Sequence, residues 1–85
     1  MALDENRERL TLRGRLAVKE AEARRLRMLC ESDIAAVRAL LDPFAPVEEL
    51  RMEAATEQMI ELAGRHAEYV GVVGEIRAMR RALGL

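Results

Sequence analysis

Two prolines, Pro43 and Pro46, sit near the middle of an 85-residue chain and are its only prolines. Neither fits inside a helix, and each pushes the residue before it out of helical space. On both sides the chain is dominated by Ala, Leu, Arg, Glu and Met, which favour helix. The sequence therefore reads as all-α: one helix over about residues 3–41, a proline turn over 42–46 and a second helix over about 46–83. Asp42 can end the first helix. Pro46 suits the first position of the second, where Glu48 and Glu49 would complement its positive end. Gly84 serves as the stop. The expected architecture is a single domain, 1–85, made of two long antiparallel helices. Each is roughly 55 Å long at ~1.5 Å per residue.

Charged residues make up 34% of the chain and hydrophobic ones 51%, with a formal net charge of -1. That composition excludes the low-hydrophobicity, high-charge signature of disorder, a uniformly basic nucleic-acid binder and a uniformly acidic mimic. The only aromatic residues are Phe44 and Tyr69, too few for a base-stacking platform. Cys30 is the only cysteine and His66 the only histidine, so neither a disulfide nor a CxxC or HExxH zinc site can form within the chain. Gly71-Val-Val-Gly74 lacks the spacing and the following Lys-Ser/Thr of a phosphate loop. No apolar run approaches the ~18 residues of a membrane span, and the charged first residues do not read as a leader, so a cytoplasmic setting is expected. No catalytic residue, cofactor, metal or small-molecule substrate is indicated.

The second helix carries a coiled-coil seam at spacings of three and four: Met52, Ala55, Met59, Leu62, His66, Tyr69, Val73, Ile76, Arg80 and Leu83. The first carries a rougher one: Leu12, Leu16, Lys19, Ala23, Leu26, Cys30, Asp33 or Ile34, Val37, Leu40 and Phe44. Lys19 and Asp33 are its imperfect members, of the kind that set register at some cost in stability.

A second stripe of small residues runs down the opposite face of each helix: Leu10, Gly14, Ala17, Ala21, Met28 and Ala35, then Ile60, Gly64, Ala67, Gly71, Gly74 and Ala78. Folding at the prolines sets residues level when their numbers add to about 88. Gly14 then meets Gly74 and Ala17 meets Gly71, while in the large stripe Leu16 meets Val73, Leu26 meets Leu62 and Cys30 meets Met59. Helical glycines cost ~1 kcal/mol each relative to alanine. Either close helix packing offsets that cost, or the second helix breaks near Gly71–Gly74.

One hairpin can bury one stripe per helix, so the other stays exposed unless another chain covers it. The expected solution is a homodimer forming a four-helix bundle, with a partner helix of another protein in the groove as the alternative. The interface candidates are Met52, Met59, Leu62, His66, Tyr69, Val73 and Ile76 with Leu12, Leu16 and Leu26. Which stripe closes the hairpin is open at this level.

Charge is uneven along the hairpin. Residues 1–19 and 71–85, the open end, hold eight bases against four acids, and residues 20–70 hold six against eleven. Within-helix pairs such as Glu5 with Arg9 and Glu20 with Arg24 account for part of this. A basic pole for phosphate is the other reading, with Arg7, Arg13, Arg15, Arg77, Arg80 and Arg81 as candidate contacts. Cys30 and His66 are expected about 10 Å apart along the axis, too far for proton transfer. Cys30 reads as a small core residue and His66 as a buried, hydrogen-bonded seam residue. The acidic row Glu49, Glu53, Glu57 and Glu61 reads as solvated surface.

The turn segment Ile34-Ala-Ala-Val-Arg-Ala-Leu-Leu-Asp-Pro-Phe-Ala-Pro-Val-Glu-Glu-Leu50, with Glu61-Leu-Ala and Glu68-Tyr, resembles small helical-hairpin proteins encoded in Mu-like prophages. The resemblance spans residues 30–84 and implies a phage-derived accessory protein of unassigned activity, with no catalytic residue to carry over. The architecture is also similar to the helical-hairpin dimer that regulates plasmid copy number by binding RNA. The functional expectation is a non-enzymatic oligomerisation or protein-interaction module, a scaffold or adaptor. The alternative is a small nucleic-acid-binding regulator using the arginine-rich open end.

Overall fold

The computed structural model describes residues 2–85 and is helical on both sides of the turn. Helix α1 spans Ala2–Leu40 and helix α2 spans Met52–Leu83, with a single 3-10 turn, Val47–Glu49, between them. The two helices pack along their length into a rod of 69 × 16 × 15 Å. No helix of the described residues is long and apolar enough to cross a membrane.

The turn begins as the prolines require. The Asp42 carboxylate accepts the Phe44 backbone N–H at 2.9 Å, and the Asp42 carbonyl accepts that of Ala45 at 3.2 Å. This Asp-Pro pair opens a tight turn in which proline supplies the φ of the second position. Pro46 then leads the 3-10 turn instead of α2, and Leu50 is extended at φ -64, ψ 133. Helix α2 thus starts six residues later than position 46, behind an Arg51 that provides no side-chain cap. At the far end Gly84 adopts φ 75, and the N–H groups of Gly84 and Leu85 bond the carbonyls of Arg81 and Arg80 at 3.1 and 2.8 Å. That Schellman closure needs a left-handed residue, which glycine supplies without penalty. The Arg9 guanidinium donates to the Leu83 carbonyl at 3.2 Å, placing a cation on the negative end of α2.

The large stripe closes the hairpin. On α1 the seam, buried or half-buried throughout, is Leu12, Leu16, Lys19, Ala23, Leu26, Cys30, Asp33, Val37 and Leu40, with Glu20, Glu22, Leu29 and Ala36 half-buried beside it. This is the expected seam, with Asp33 inside, Ile34 outside and Phe44 93% exposed. On α2 the seam is Ala55, Gln58, Leu62, Arg65, Tyr69, Val72, Ile76, Met79 and Leu83. Four of the ten expected α2 positions are displaced by one residue. Met59, His66 and Arg80 are exposed, as is Met52, and Val73 is only half-buried. Gln58 and Arg65 take the inward places because Asp33 is buried opposite them.

The helix register also differs from the sequence expectation. Lys19 faces Glu75, and Asp33 lies between Gln58 and Arg65. Leu16, Met79 and Leu83 share one buried cluster with Leu12 and Ile76 against it. Level residues therefore add to about 95, one heptad away from 88, because the 3-10 turn moves the fold-back point toward the second helix. The glycines do not pack between helices. A Cβ built on Gly14, Gly64, Gly71 or Gly74 meets nothing within 4 Å, and α2 runs unbroken through Gly71 and Gly74. Within one hairpin neither explanation offered for the helical glycines holds: the small stripe faces outward and remains helical.

Candidate functional site

The seam divides the exposed side chains between two broad faces and the outer edges that separate them, because residues flanking the buried positions project to opposite sides of the helix pair. One face is marked by a groove of about 340 Å³ between the helices, lined by Glu20, Ala23, Arg24, Arg27, Tyr69, Val73, Ile76, Arg77 and Arg80. Arg80 reaches Glu20 across this groove at 3.6 Å, and Arg27 pairs with Glu31 at 3.1 Å. Along its whole length this face carries Arg13, Arg24, Arg27, Arg38, Arg77 and Arg80 against Glu20 and Glu31, six bases to two acids. Its exposed apolar side chains are mostly large, Leu10, Ile34, Leu41, Met52, Met59 and Val70, with Ala17 and Ala63 as the exceptions.

The opposite face is marked at the open end by a groove that includes Glu8, Leu12 and Ala82. It carries Asp4, Glu8, Glu22, Glu57, Glu61, Glu68 and Glu75 against Arg15, Arg25 and Lys19, which reaches Glu22 and Glu75 from the seam, seven acids to three bases. Its apolar residues are small: Ala36, Ala39, Ala54, Gly64, Gly71, Ala78 and Ala82, with Val18 and Leu29 as the exceptions. A net charge of -1 over the chain thus conceals two faces of opposite sign.

Within the seam, the Asp33 carboxylate is 5% exposed and its Oδ1 accepts from Arg65 Nη1 at 2.8 Å and from Gln58 Nε2 at 3.0 Å. Its Oδ2 is buried without a hydrogen-bond partner. Closer to the open end, Lys19 Nζ lies 2.8 Å from Glu75 and 3.6 Å from Glu22. The hydrogen bond to Glu75 is the largest influence on Lys19 and holds its pKa above the usual 10.5, with burial opposing and the charge of Glu22 assisting. Gln58 and Arg65 were missed in the sequence because an apolar heptad one residue along, Met59, masked them. The signal available was an aspartate in the facing seam, which requires donors.

The sequence candidates separate under this geometry. Leu12, Leu16 and Leu26 belong to the hairpin's own core, as do Leu62, Tyr69 and Ile76, each half-buried in the seam. Met52, Met59, His66 and Val73 lie on the basic face. Of the phosphate candidates, Arg13, Arg77 and Arg80 share that face. Arg15 is on the acidic face, and Arg7 and Arg81 lie on the outer edges between the two. Glu20 pairs with Arg80 instead of Arg24, and Arg9 caps α2 instead of pairing with Glu5. Glu49 lies in the 3-10 turn, so the acidic row on α2 begins at Glu53.

The shifted register places His66 level with Cys30, which the earlier spacing had separated. They still do not form a catalytic pair: Cys30 is buried in the seam, His66 is exposed, and no hydrogen bond joins them. Among the described residues no group of His, Cys, Asp or Glu side chains is placed to hold a metal ion. No family model, curated protein or solved structure matches the chain.

Proposed function

We propose that this chain is a non-enzymatic helical-hairpin module that works by binding another helical surface, foremost a second copy of itself. The observation that carries the reading is surface area. The chain exposes 6717 Å², where a compact monomer of its 9.6 kDa mass would expose about 5,100 Å². The radius of gyration is 19.4 Å against about 12 Å for a compact domain of this length. The excess, about 1,600 Å², is roughly twice what each partner contributes to a standard interface. Much of that surface is apolar, including Leu10, Val18, Met28, Met52, Met59, Ile60 and Val70. Two hairpins laid together form a four-helix bundle that covers one face of each. A scaffold or adaptor role follows from such a surface, and the prophage resemblance is compatible with an accessory protein of that type. Sedimentation equilibrium tests the reading. The expected result is a mass of at least two chains at micromolar concentration. A folded 9.6 kDa monomer throughout that range would overturn it.

A second reading rests on the arginines around the groove. Arg24, Arg27, Arg77 and Arg80 could take phosphates of a nucleic acid, in which case affinity must fall steeply with salt. Absence of binding to duplex and single-stranded probes at low salt would dispose of it.

A further inference from the structure

We propose that copies of the chain associate face to back, the basic face of one hairpin lying on the acidic face of the next. This inference rests on the self-association proposed above and specifies its geometry. A twofold contact centred on either face would bring like faces together, setting an excess of four bases against the same excess, or four acids against four. Like charges brought together in a contact oppose it, whereas opposite faces attract and select orientation. Side-chain size points the same way. The basic face presents Ile34, Met52, Met59 and Val70, and the acidic face carries only small residues at Ala36, Gly64, Gly71 and Ala78. Large side chains entering a row of small ones fill the space those residues leave, whereas large side chains set against large ones hold helices apart. The excess surface of the rod is sufficient for both contacts of one copy, one on each side.

A face-to-back contact is heterologous. Each added copy leaves one basic and one acidic face free, so growth continues past two chains into a stack or closes as a ring. Assembly then depends on concentration and weakens with salt, because the attracting charges lie at the surface.

Charge reversal on one face at a time provides the test. Arg24 and Arg77 on the basic face, and Glu57 and Glu68 on the acidic face, are exposed and take part in none of the ion pairs described. Sedimentation velocity on R24E/R77E alone and on E57R/E68R alone should each show self-association weakened by about tenfold or more. Mixed in equal amounts, they should associate again, because each supplies the face the other retains. If the wild type assembles while the mixture does not pair, or if R24E/R77E assembles more tightly than the wild type, like faces meet and the proposal fails although self-association stands. A wild type that remains a folded monomer overturns both. If R24E/R77E assembles as the wild type does but loses binding to a 20-nucleotide probe at low salt, the basic face serves phosphate and the proposal fails. Helicity by circular dichroism monitors the fold, and R24Q/R77Q with E57Q/E68Q repeats the comparison should a reversal prevent folding.

Discussion

Arg65 Nη1 lies 2.8 Å from the Oδ1 of Asp33, inside a seam that is otherwise mostly apolar. Asp33 has lost nearly all contact with water, while the Arg65 side chain remains 37% exposed, so the two ends of the pair are not equivalent. Removing the arginine strands a buried carboxylate whose second oxygen already lacks a partner. Arg65→Met should therefore destabilise the hairpin by about 2–3 kcal/mol, below the range for a fully buried pair because solvent screens the arginine. Replacing Asp33, Gln58 and Arg65 together with leucine should recover that loss, since burying apolar groups of similar volume removes the desolvation cost. Urea denaturation of the single and triple variants, at equal chain concentration, checks both outcomes.

The same polar layer sets the helix register. An apolar heptad matches itself after every seven residues, so the large stripes alone accept residue sums of 88 or 95 equally well. Only the observed alignment brings Asp33 between Gln58 and Arg65. In a Cys30→Ala background, Leu16→Cys with Met79→Cys reports the observed register, since both positions lie in one buried cluster. Leu16→Cys with Val72→Cys reports a slip of one heptad. The first pair should cross-link under mild oxidation and the second should not. With Asp33, Gln58 and Arg65 all changed to leucine, the second cross-link should appear as well.

This explains how far the sequence alone could be read. The fold-back followed from Pro43 and Pro46, the helical stop from Gly84, and the α1 seam from the spacing of Leu12, Leu16, Leu26 and Val37. Each is a local preference or a strict period. The α2 seam was ambiguous because Met59 and Val73 sit beside Gln58 and Val72, so two apolar rows one residue apart compete. Burial of Asp33, a contact across the hairpin, decides between them. The outward glycines were misread for a related reason. A small side chain allows close approach but does not require it, and no neighbouring helix approaches Gly14 or Gly74. The opposite charge of the two faces was hidden until the seam was fixed, since a shift of one residue redistributes every charge.

Lys19 gives the hairpin an alkaline limb. Its pKa is raised above 10.5 in the folded state, first by the hydrogen bond to Glu75. A raised value means that the folded state binds the proton more tightly, so the stabilisation is complete below 10.5 and fades as pH rises through the higher folded value. Stability of the wild type should therefore fall more steeply above 10.5 than that of Lys19→Met. Urea midpoints of the two proteins, compared across that range, should converge at high pH. Parallel curves would show that the Glu75 contact does not persist in solution.

Gly14 and Gly74 lie on the outer edges of the hairpin, between the two broad faces, and an added methyl group at either meets open space. Both have ordinary helical backbone, since Gly84 alone has positive φ. Alanine at each position should stabilise the chain by about 0.5–1 kcal/mol, through lower backbone freedom in the unfolded state and better helix propensity. Thermal unfolding of the double variant should shift upward. A fall would indicate that these edges are crowded by a partner, because the methyl groups would then collide with it.

Leu26 and Met59 separate the hairpin's own core from its outer surface. Leu26 is 1% exposed, the most buried side chain of its size, whereas Met59 is 48% exposed on the basic face. Leu26→Ala removes buried volume and leaves a cavity between the helices, at a cost of about 2–5 kcal/mol. Met59→Ala leaves the intrachain core intact. At low chain concentration, where copies are apart, it should alter stability by less than about 0.5 kcal/mol, as expected for a surface substitution. At high concentration the two variants should differ in kind. Leu26→Ala should remain destabilised at every concentration, while Met59→Ala should lose the added stability that the proposed association would give the wild type. Denaturation measured across a hundredfold range of chain concentration distinguishes these behaviours. If Met59→Ala were as costly as Leu26→Ala in the dilute limit, Met59 would belong to the closed seam and the assignment of faces would be wrong.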